Sequence, residues 1–451
     1  PSPVIVENHA DNDEENNDHG EGDPYERRCG VVDFPIVHYL DYTTHAMRSL
    51  RGRKTVFVGM SGGVDSSVAA MILKENGYDV VGVFLRSYNV DGCAERDAED
   101  ARRGAEHIGI PFYAWDCEEE YKKKVVSYMV EEYRAGRTPN PDVMCNREIK
   151  FGIFLKRAKM AGADYVATGH YVRLERENLT PSTRFAHPAT HSLVLAGSPP
   201  EKKGKRADRA EPATRVSESQ TFSLFAAKDK SKDQSYFLWT LTQNQLKHCL
   251  FPIGEYEKSE VRNMARRAGL PTADKKDSQG ICFLGEVSLA DFLKEYIPEH
   301  RGTVLTASGK AVGEHSGVSF YTVGQRHGLG ISGKTPYYIS EKNAETNTLV
   351  VAEGGESDSL YRREVSLESV NLIRPIEKAT LSVMARVRYR QPLSKATLRI
   401  EVDKANLSFE KPQKFVAPGQ SAVFYVEESN PSRSSGRRSC ELRMLGGGVI
   451  S

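Results

Sequence analysis

The sequence predicts an α/β protein: a Rossmann-like domain built on a parallel sheet, then a small central domain and a C-terminal β-barrel-like domain. Three observations carry this. Short β-branched runs alternate with helical patterns between about residues 55 and 168, which implies a parallel sheet covered on both faces. The first run ends in a Gly/Ser loop that opens a helix, the place where an open α/β sheet binds its ligand. Beyond about residue 300 the texture changes to short alternating strands with Gly and Asn turns, as in all-β modules.

The elements follow in order. Residues 55–60 (TVFVGM) read as the first strand. In 66–76, Val68, Ala69, Met71, Ile72 and Leu73 recur at helical spacing, and Gly77 stops the helix. A strand at 80–84 and a helix at 95–108 come next. Further strands fall at 110–115 and 164–168, with helices near 118–135 and 148–161. Late in the chain Val383, Ala385, Val387 and Tyr389 share one strand face, while Arg386, Arg388 and Arg390 make the other triply cationic. Such a face is either a charged edge strand or a contact to a phosphate backbone.

Composition sets the limits. At roughly 100 to 200 residues per domain, 451 residues make two to four domains. We expect an acidic, disordered extension over 1–50 and a catalytic domain over 51–285 with a disordered insertion at about 175–230. A mostly-β central domain over 286–360 and a β-barrel domain over 361–451 complete the chain. The formal charge of +1 conceals a division: residues 1–24 hold eight acidic and no basic side chains, so the remainder carries +9. The acidic segment has little apolar surface to bury, and it is the opposite of an Arg-rich transit peptide. No apolar run reaches the ~18 residues of a membrane span, so no membrane partner is expected. A cytoplasmic monomer is expected, with a mitochondrion or other organelle as the alternative compartment.

Seven cysteines, at 29, 93, 117, 145, 249, 282 and 440, form no CxxC pair. An odd, unladdered set argues against a disulfide scaffold and a zinc ribbon, and leaves room for reactive thiols.

The Gly/Ser loop reads Gly59-Met60-Ser61-Gly62-Gly63-Val64-Asp65-Ser66-Ser67. Glycines without Cβ atoms let backbone N–H groups approach phosphate, and the helix N-terminus adds partial positive charge. The serine hydroxyls can donate, and Asp65 can help hold magnesium. No GxxxxGK[ST] is present, so this is not a Walker loop. The loop resembles the SGGxDS signature of the PP-loop (N-type) ATP pyrophosphatases, which implies cleavage of ATP between its α- and β-phosphates and adenylation of an acceptor oxygen.

Three segments bear on the acceptor. In GRTPNPDVMCNREIKF (136–151) two prolines bracket Asn140 and stiffen the loop. Cys145 falls near the start of the next helix, where the dipole and Arg147 or Lys150 would favour a thiolate, and Asp142 could take a proton from a substrate. In DSQGICFLG (277–285) Gly280 and Gly285 permit a tight loop exposing Cys282. The third, KDQSYFL (232–238), is polar and then amphipathic.

Together with ATGHY (167–171), YTVGQRHGLG (321–330), RYRQ (388–391) and PGQSAVFY (418–425), these segments resemble the tRNA-specific 2-thiouridylase family over about residues 53–448. The resemblance implies ATP and Mg2+ as cofactors, and tRNA and a persulfide sulfur donor or relay protein as partners. By it, Gly59 to Ser66, Leu85 and Gly169 line the ATP site, with Leu85 where the family usually has Met. Cys282 carries sulfur as a persulfide, and Cys145 releases it by forming a transient disulfide with Cys282. Asn140, Pro141 and Asp142 surround the target uridine, while His170, Lys232, Asp233, Gln234, Arg388, Tyr389 and Gln420 meet the tRNA.

Three other readings compete. A PP-loop enzyme adenylating a small molecule, like the argininosuccinate or GMP synthetases, would not need two loop cysteines. Thiolation through an iron–sulfur cluster would want a third cysteine where Asp142 stands. A tRNA-binding protein without catalysis would not need the full motif set.

Overall fold

The computed structural model describes residues 52–88, 90, 94–178, 220–277, 284, 287–402, 404–429 and 440–451. The acidic extension, most of the insertion and Cys282 with its flanking loop therefore lie outside the described residues.

The first sheet is parallel throughout, in the order β3-β2-β1-β4-β7. Its strands are β1 (Thr55–Gly59), β2 (Asp79–Arg86), β3 (Phe112–Asp116), β4 (Tyr165–Thr168) and, after a hairpin of β5 and β6, β7 (Cys249–Leu250). The three central residues of β1 are buried, as expected for a strand covered on both faces. The chain winds outward from β1 to β3 and then returns to β4 on the other side of β1. The topological switch therefore lies between the carboxyl ends of β1 and β4, where ligands bind.

Helix α1 (Val64–Glu75) follows β1, and α2 (Ala94–Ile108) follows β2. Two longer helical runs, α3 (118–134) and α4 (141–160), connect β3 to β4, each with a stretch of wide i→i+5 turns. In α4 that stretch is Cys145–Phe154, and at Gly152 an added Cβ would sit 2.8 Å from the Arg147 carbonyl. A wide turn of this kind is often found at functional positions.

The central module is a four-stranded sheet of β8 (Gly302–Thr306), β9 (Ala311–His315), β10 (Tyr337–Asn343) and β11 (Thr348–Glu353), ordered β10-β11-β8-β9. The last module is a closed barrel. Strands β12 (Tyr361–Leu372), β13 (Thr380–Arg386), β14 (Ser394–Ile400), β15 (Lys404–Lys414), β16 (Ser421–Ser429) and β17 (Cys440–Ile450) pair in sequence β12-β15-β14-β13-β16-β17. A β12–β17 pairing closes the ring, around a core that includes Val365, Leu367, Leu398, Leu407, Phe409 and Phe424. Closure removes the exposed edges that an open sheet must protect.

Two expectations change. Strands β5 (Val172–Asn178) and β6 (Gln220–Ala226) occupy both ends of the interval expected as a disordered insertion. Their hairpin reaches the barrel, where Phe225 pairs with Arg443 of β17. Burial of Phe222 and Leu224 on one face of β6 and of Phe225 on the other accounts for this order. Nor do Arg386, Arg388 and Arg390 form one strand face. Strand β13 ends at Arg386, and Arg390 turns with φ +64°. Arg386 points inward to Asp233 at 3.5 Å, and Arg388 donates to the Val323 carbonyl at 2.6 Å. Two-residue alternation cannot distinguish an arginine facing solvent from one held by an interior acceptor.

Candidate active site

The phosphate loop takes its shape from close contacts. Gly62 has φ +72°, and a Cβ there would stand 2.3 Å from the Asp97 carbonyl oxygen, so only glycine fits. The Ser66 hydroxyl donates to the Gly63 carbonyl (3.1 Å) and accepts from the Ser61 N–H (3.2 Å). Met60 and Val64, the first residue of α1, are both buried in apolar clusters. Leu85 is half-buried on β2 opposite Trp115 of β3. Gly169 approaches so near α1 that a Cβ would lie 2.7 Å from the Ser66 nitrogen. Loop and Gly169 therefore meet at the switch point.

Asp65 is not a free metal ligand here. Its carboxylate accepts from the Tyr171 hydroxyl at 2.8 Å and from Lys258 Nζ at 2.8 Å through each oxygen. Lys258 opens helix α5 (Lys258–Arg267) and also reaches Asp277 at 2.8 Å. Asp277 further holds Lys232 (2.7 Å) and Arg262 (2.9 Å). Burial alone would raise the Asp277 carboxyl, but hydrogen bonds and charge from Lys232 and Lys258 bring it down to about 2. Sequence reading missed Lys258, because its segment matches no motif. The signal was indirect: a phosphate loop without a cation needs one from elsewhere.

The second locus is the turn before α4. Asn140 caps the helix by accepting the Val143 N–H at 3.3 Å, and Pro141 takes the first helical position, where its missing donor costs nothing. From the barrel, Gln420 donates to the Thr138 and Pro139 carbonyls at 3.0 and 2.9 Å. Its neighbour Gly419, with φ +89°, leaves no room for a Cβ against Thr138. Asn146 donates to the Phe237 carbonyl at 3.3 Å, and Tyr389 packs on Phe237 with ring centroids 4.3 Å apart.

Cys145 departs from the thiolate expected for it. It lies one turn inside the helix, buried, and burial pushes its thiol up despite opposition from Lys150. Arg147 is exposed and paired with Glu148 at 2.8 Å, so it does not serve the sulfur. Burial likewise raises the Asp142 carboxyl, again opposed by Lys150. Cys117, also buried, has its thiol pushed up to about 11 by burial, with Arg157 Nη1 3.5 Å from the sulfur.

Several residues expected to meet tRNA face the interior. Asp233 is buried and accepts from the Ala227 and Ser235 N–H groups at 3.1 and 3.2 Å and from the Ser235 hydroxyl at 3.0 Å. Gln234 accepts the Tyr171 N–H at 3.0 Å, and Lys232 is committed to Asp277. His170 is buried, with Nδ1 2.7 Å from the Thr168 hydroxyl and its ring 5.9 Å from Phe151. Burial, reinforced by Lys150, holds its pKa well below the ordinary value, so it is a neutral imidazole. Asp233 and His170 are thus held inside the protein by these partners.

The turn 168–171 thus touches both loci. Gly169 lies on the phosphate loop, and His170 packs on Phe151 of the helix that carries Cys145.

An α/β domain with a cationless phosphate loop at its switch point, extended by two β modules, defines a protein of the HUP-domain class. The model of the tRNA methyl transferase HUP domain matches residues 54–194 and 204–286. The tRNA methyl transferase PRC-barrel domain matches 290–353, and the aminomethyltransferase beta-barrel domain matches 362–431. The tRNA-specific 2-thiouridylase MnmA of Streptococcus equi subsp. zooepidemicus (strain MGCS10565) is 41% identical over 390 residues, 84% of this chain and 94% of its own length. That of Streptococcus sanguinis (strain SK36) is 42% identical over 381 residues, 82% and 91% of the two chains. The chain belongs to the tRNA-specific 2-thiouridylase family. Among solved structures, NMN synthetase from Francisella tularensis is similar at a TM-score of 0.28 and 15% identity, over 55% of this chain and 76% of that one.

Proposed function

We propose that this protein thiolates the wobble uridine of tRNA at C2, using ATP to activate the base and a cysteine persulfide as sulfur carrier. The observation that carries the proposal is the 168–171 turn, which joins a phosphate loop to the cysteine-bearing helix. An enzyme that couples ATP cleavage to sulfur transfer on one base needs those two loci adjacent.

Uridine O2 is a poor leaving group. In the proposed first step O2 attacks the α-phosphorus of ATP, the bond to the bridging oxygen breaks, and pyrophosphate leaves with the electron pair. Asp142, its carboxyl raised by burial, is suited to take the N3 proton. The terminal sulfur of a Cys282 persulfide then attacks C2 and AMP departs. The Cys145 thiolate attacks the Cys282 sulfur, forming a disulfide and leaving sulfur on the base, and an external thiol reduces the disulfide afterwards. Gly59 to Ser66, Leu85 and Gly169 would form the ATP site. Asn140 and Pro141, with Asp142, would wall the pocket for a uridine drawn out of its stack. Gln420, Arg388 and Tyr389 would hold that wall from the barrel side.

Among the described residues no cluster of three or more His, Cys, Asp or Glu makes a protein-built metal site. Magnesium would ride on the phosphates of ATP with Asp65 as the protein carboxylate, and would neutralise phosphate charge. The sulfur reaches Cys282 from a persulfide-bearing donor or relay protein. Free thiols at Cys117, Cys145, Cys249 and Cys440 suit a reducing compartment such as the cytoplasm. No helix among the described residues is long and apolar enough to cross a membrane. Mass spectrometry of nucleosides from tRNA incubated with the protein, ATP, magnesium and a persulfide donor tests the proposal. The expected product is 2-thiouridine; unmodified uridine with every component present would refute it.

A further inference from the structure

The loop Gly59–Ser67 contains no lysine or arginine, yet on the proposed function it must hold a triphosphate and then release pyrophosphate. A Walker loop solves this with a lysine inside the motif. Here a lysine comes from 193 positions further along the chain. Lys258 Nζ lies 2.8 Å from both carboxylate oxygens of Asp65, the second residue of α1. Its side chain is only 11% exposed, its ammonium sits 5.7 Å from the centre of the Tyr171 ring, and its backbone N–H is held by Asp229 at 3.0 Å. The ammonium is thus fixed beside the loop from several directions.

The partners of Lys258 differ in how much they depend on it. Asp277 retains Lys232 and Arg262 if Lys258 turns away. Asp65 would keep only the neutral Tyr171 hydroxyl among its contacts described above, and so would become available to a cation. A phosphate oxygen brought to the loop offers Lys258 a stronger acceptor than a shared carboxylate, because more negative charge is concentrated there.

We propose that Lys258 is the pyrophosphate-binding cation of the adenylation step, parked on Asp65 until ATP arrives. This rests on the reading of the loop as an ATP site. On binding, Lys258 exchanges Asp65 for a phosphate oxygen, and Asp65 is freed to meet the magnesium carried by the nucleotide. As the α-phosphorus passes to uridine O2, the electron pair of the broken bond leaves on the bridging oxygen of pyrophosphate. The Lys258 ammonium offsets that charge and keeps its proton throughout. The arrangement reconciles two observations: a loop without a cation, and a loop carboxylate occupied by one.

The test uses the full chain with tRNA, ATP, magnesium and a persulfide donor, and inorganic pyrophosphate and AMP as separate inhibitors. Lys258→Gln, which removes charge but keeps a donor for Asp65, is expected to raise KM for ATP and weaken pyrophosphate inhibition by roughly 10- to 100-fold, the loss of one charged hydrogen bond. Inhibition by AMP, which lacks the departing phosphates, should not change. Lys258→Arg should restore most of the pyrophosphate sensitivity and Lys258→Met should reproduce the loss. Pyrophosphate inhibition as strong in Lys258→Gln as in the parent chain overturns the proposal. So does an equal loss of AMP and pyrophosphate inhibition with a lowered Tm, which marks a structural role. If Lys258→Gln and Lys258→Met both fail to fold, Lys258→Arg decides by itself, and weak pyrophosphate inhibition in that folded variant overturns the proposal. A parent chain that neither binds ATP nor responds to pyrophosphate refutes the ATP-site reading instead, so the two failures are distinguishable.

Discussion

Gln420, on the turn between β15 and β16, donates its carboxamide N–H to the Pro139 carbonyl at 2.9 Å, so the barrel holds the loop that precedes Cys145. A second bond to Thr138 and the close approach of Gly419 complete the clamp. The barrel therefore fixes the turn that precedes the cysteine-bearing helix as well as being an appended module.

Breaking that clamp should separate the two loci. Gln420→Ala removes two hydrogen bonds worth about 0.5–1.5 kcal/mol each. Gly419→Ala adds a Cβ 2.9 Å from Thr138 at φ +89°, a strain of about 1–3 kcal/mol. Both variants should lose thiolation while ATP binding, followed by calorimetry, stays at the parent level.

The converse holds at the phosphate loop. Gly169→Ala places a Cβ 2.7 Å from the Ser66 nitrogen, and Gly62→Ala places one 2.3 Å from the Asp97 carbonyl oxygen. Each should weaken ATP binding at least tenfold, about 1.4 kcal/mol. Affinity for tRNA, measured by filter binding at fixed salt, should be retained.

His170 gives a pH signature. Its folded pKa lies below the unfolded value, so on acidification the unfolded chain takes up the proton first. Stability should therefore fall as pH drops below about 6.5, by up to about 1.4 kcal/mol per unit from this group. His170→Asn should flatten the dependence by one proton's worth in thermal melts taken between about pH 7 and 5. An unchanged slope would show that the ring is not held neutral.

Cys145 should behave as a reluctant thiolate. Burial raises its thiol, so sulfur release in a single turnover from persulfide-loaded protein should still be climbing at about pH 8.5, the ordinary thiol value. A rate already flat at neutral pH would contradict that electrostatic placement.

The parallel sheet was legible because β1 to β4 announce themselves as short buried runs between helical patterns. The phosphate loop was legible because its glycines answer a backbone need. The β5–β6 hairpin was not, since its barrel partner at Arg443 is more than 200 residues away and strand pairing at that distance leaves no local trace. Arg386 and Arg388 were misread as a cationic face because alternation records which side a residue takes, while Asp233 and the Val323 carbonyl decide whether that side is wet. The cysteine environment misled for a related reason: helix position suggested a low pKa, and burial, visible only in three dimensions, outweighed it. Lys258 was invisible as a motif because its role comes from a contact with Asp65, not from its neighbours in sequence.

The central claim is sulfur transfer through two thiols next to an ATP loop. Its most direct test is the 2-thiouridine content of tRNA, by mass spectrometry, after incubation with ATP, magnesium and a persulfide donor. The parent chain should form 2-thiouridine, and Cys145→Ser and Cys282→Ser should each form none while still binding tRNA. Undiminished thiolation by either variant would contradict the proposed mechanism.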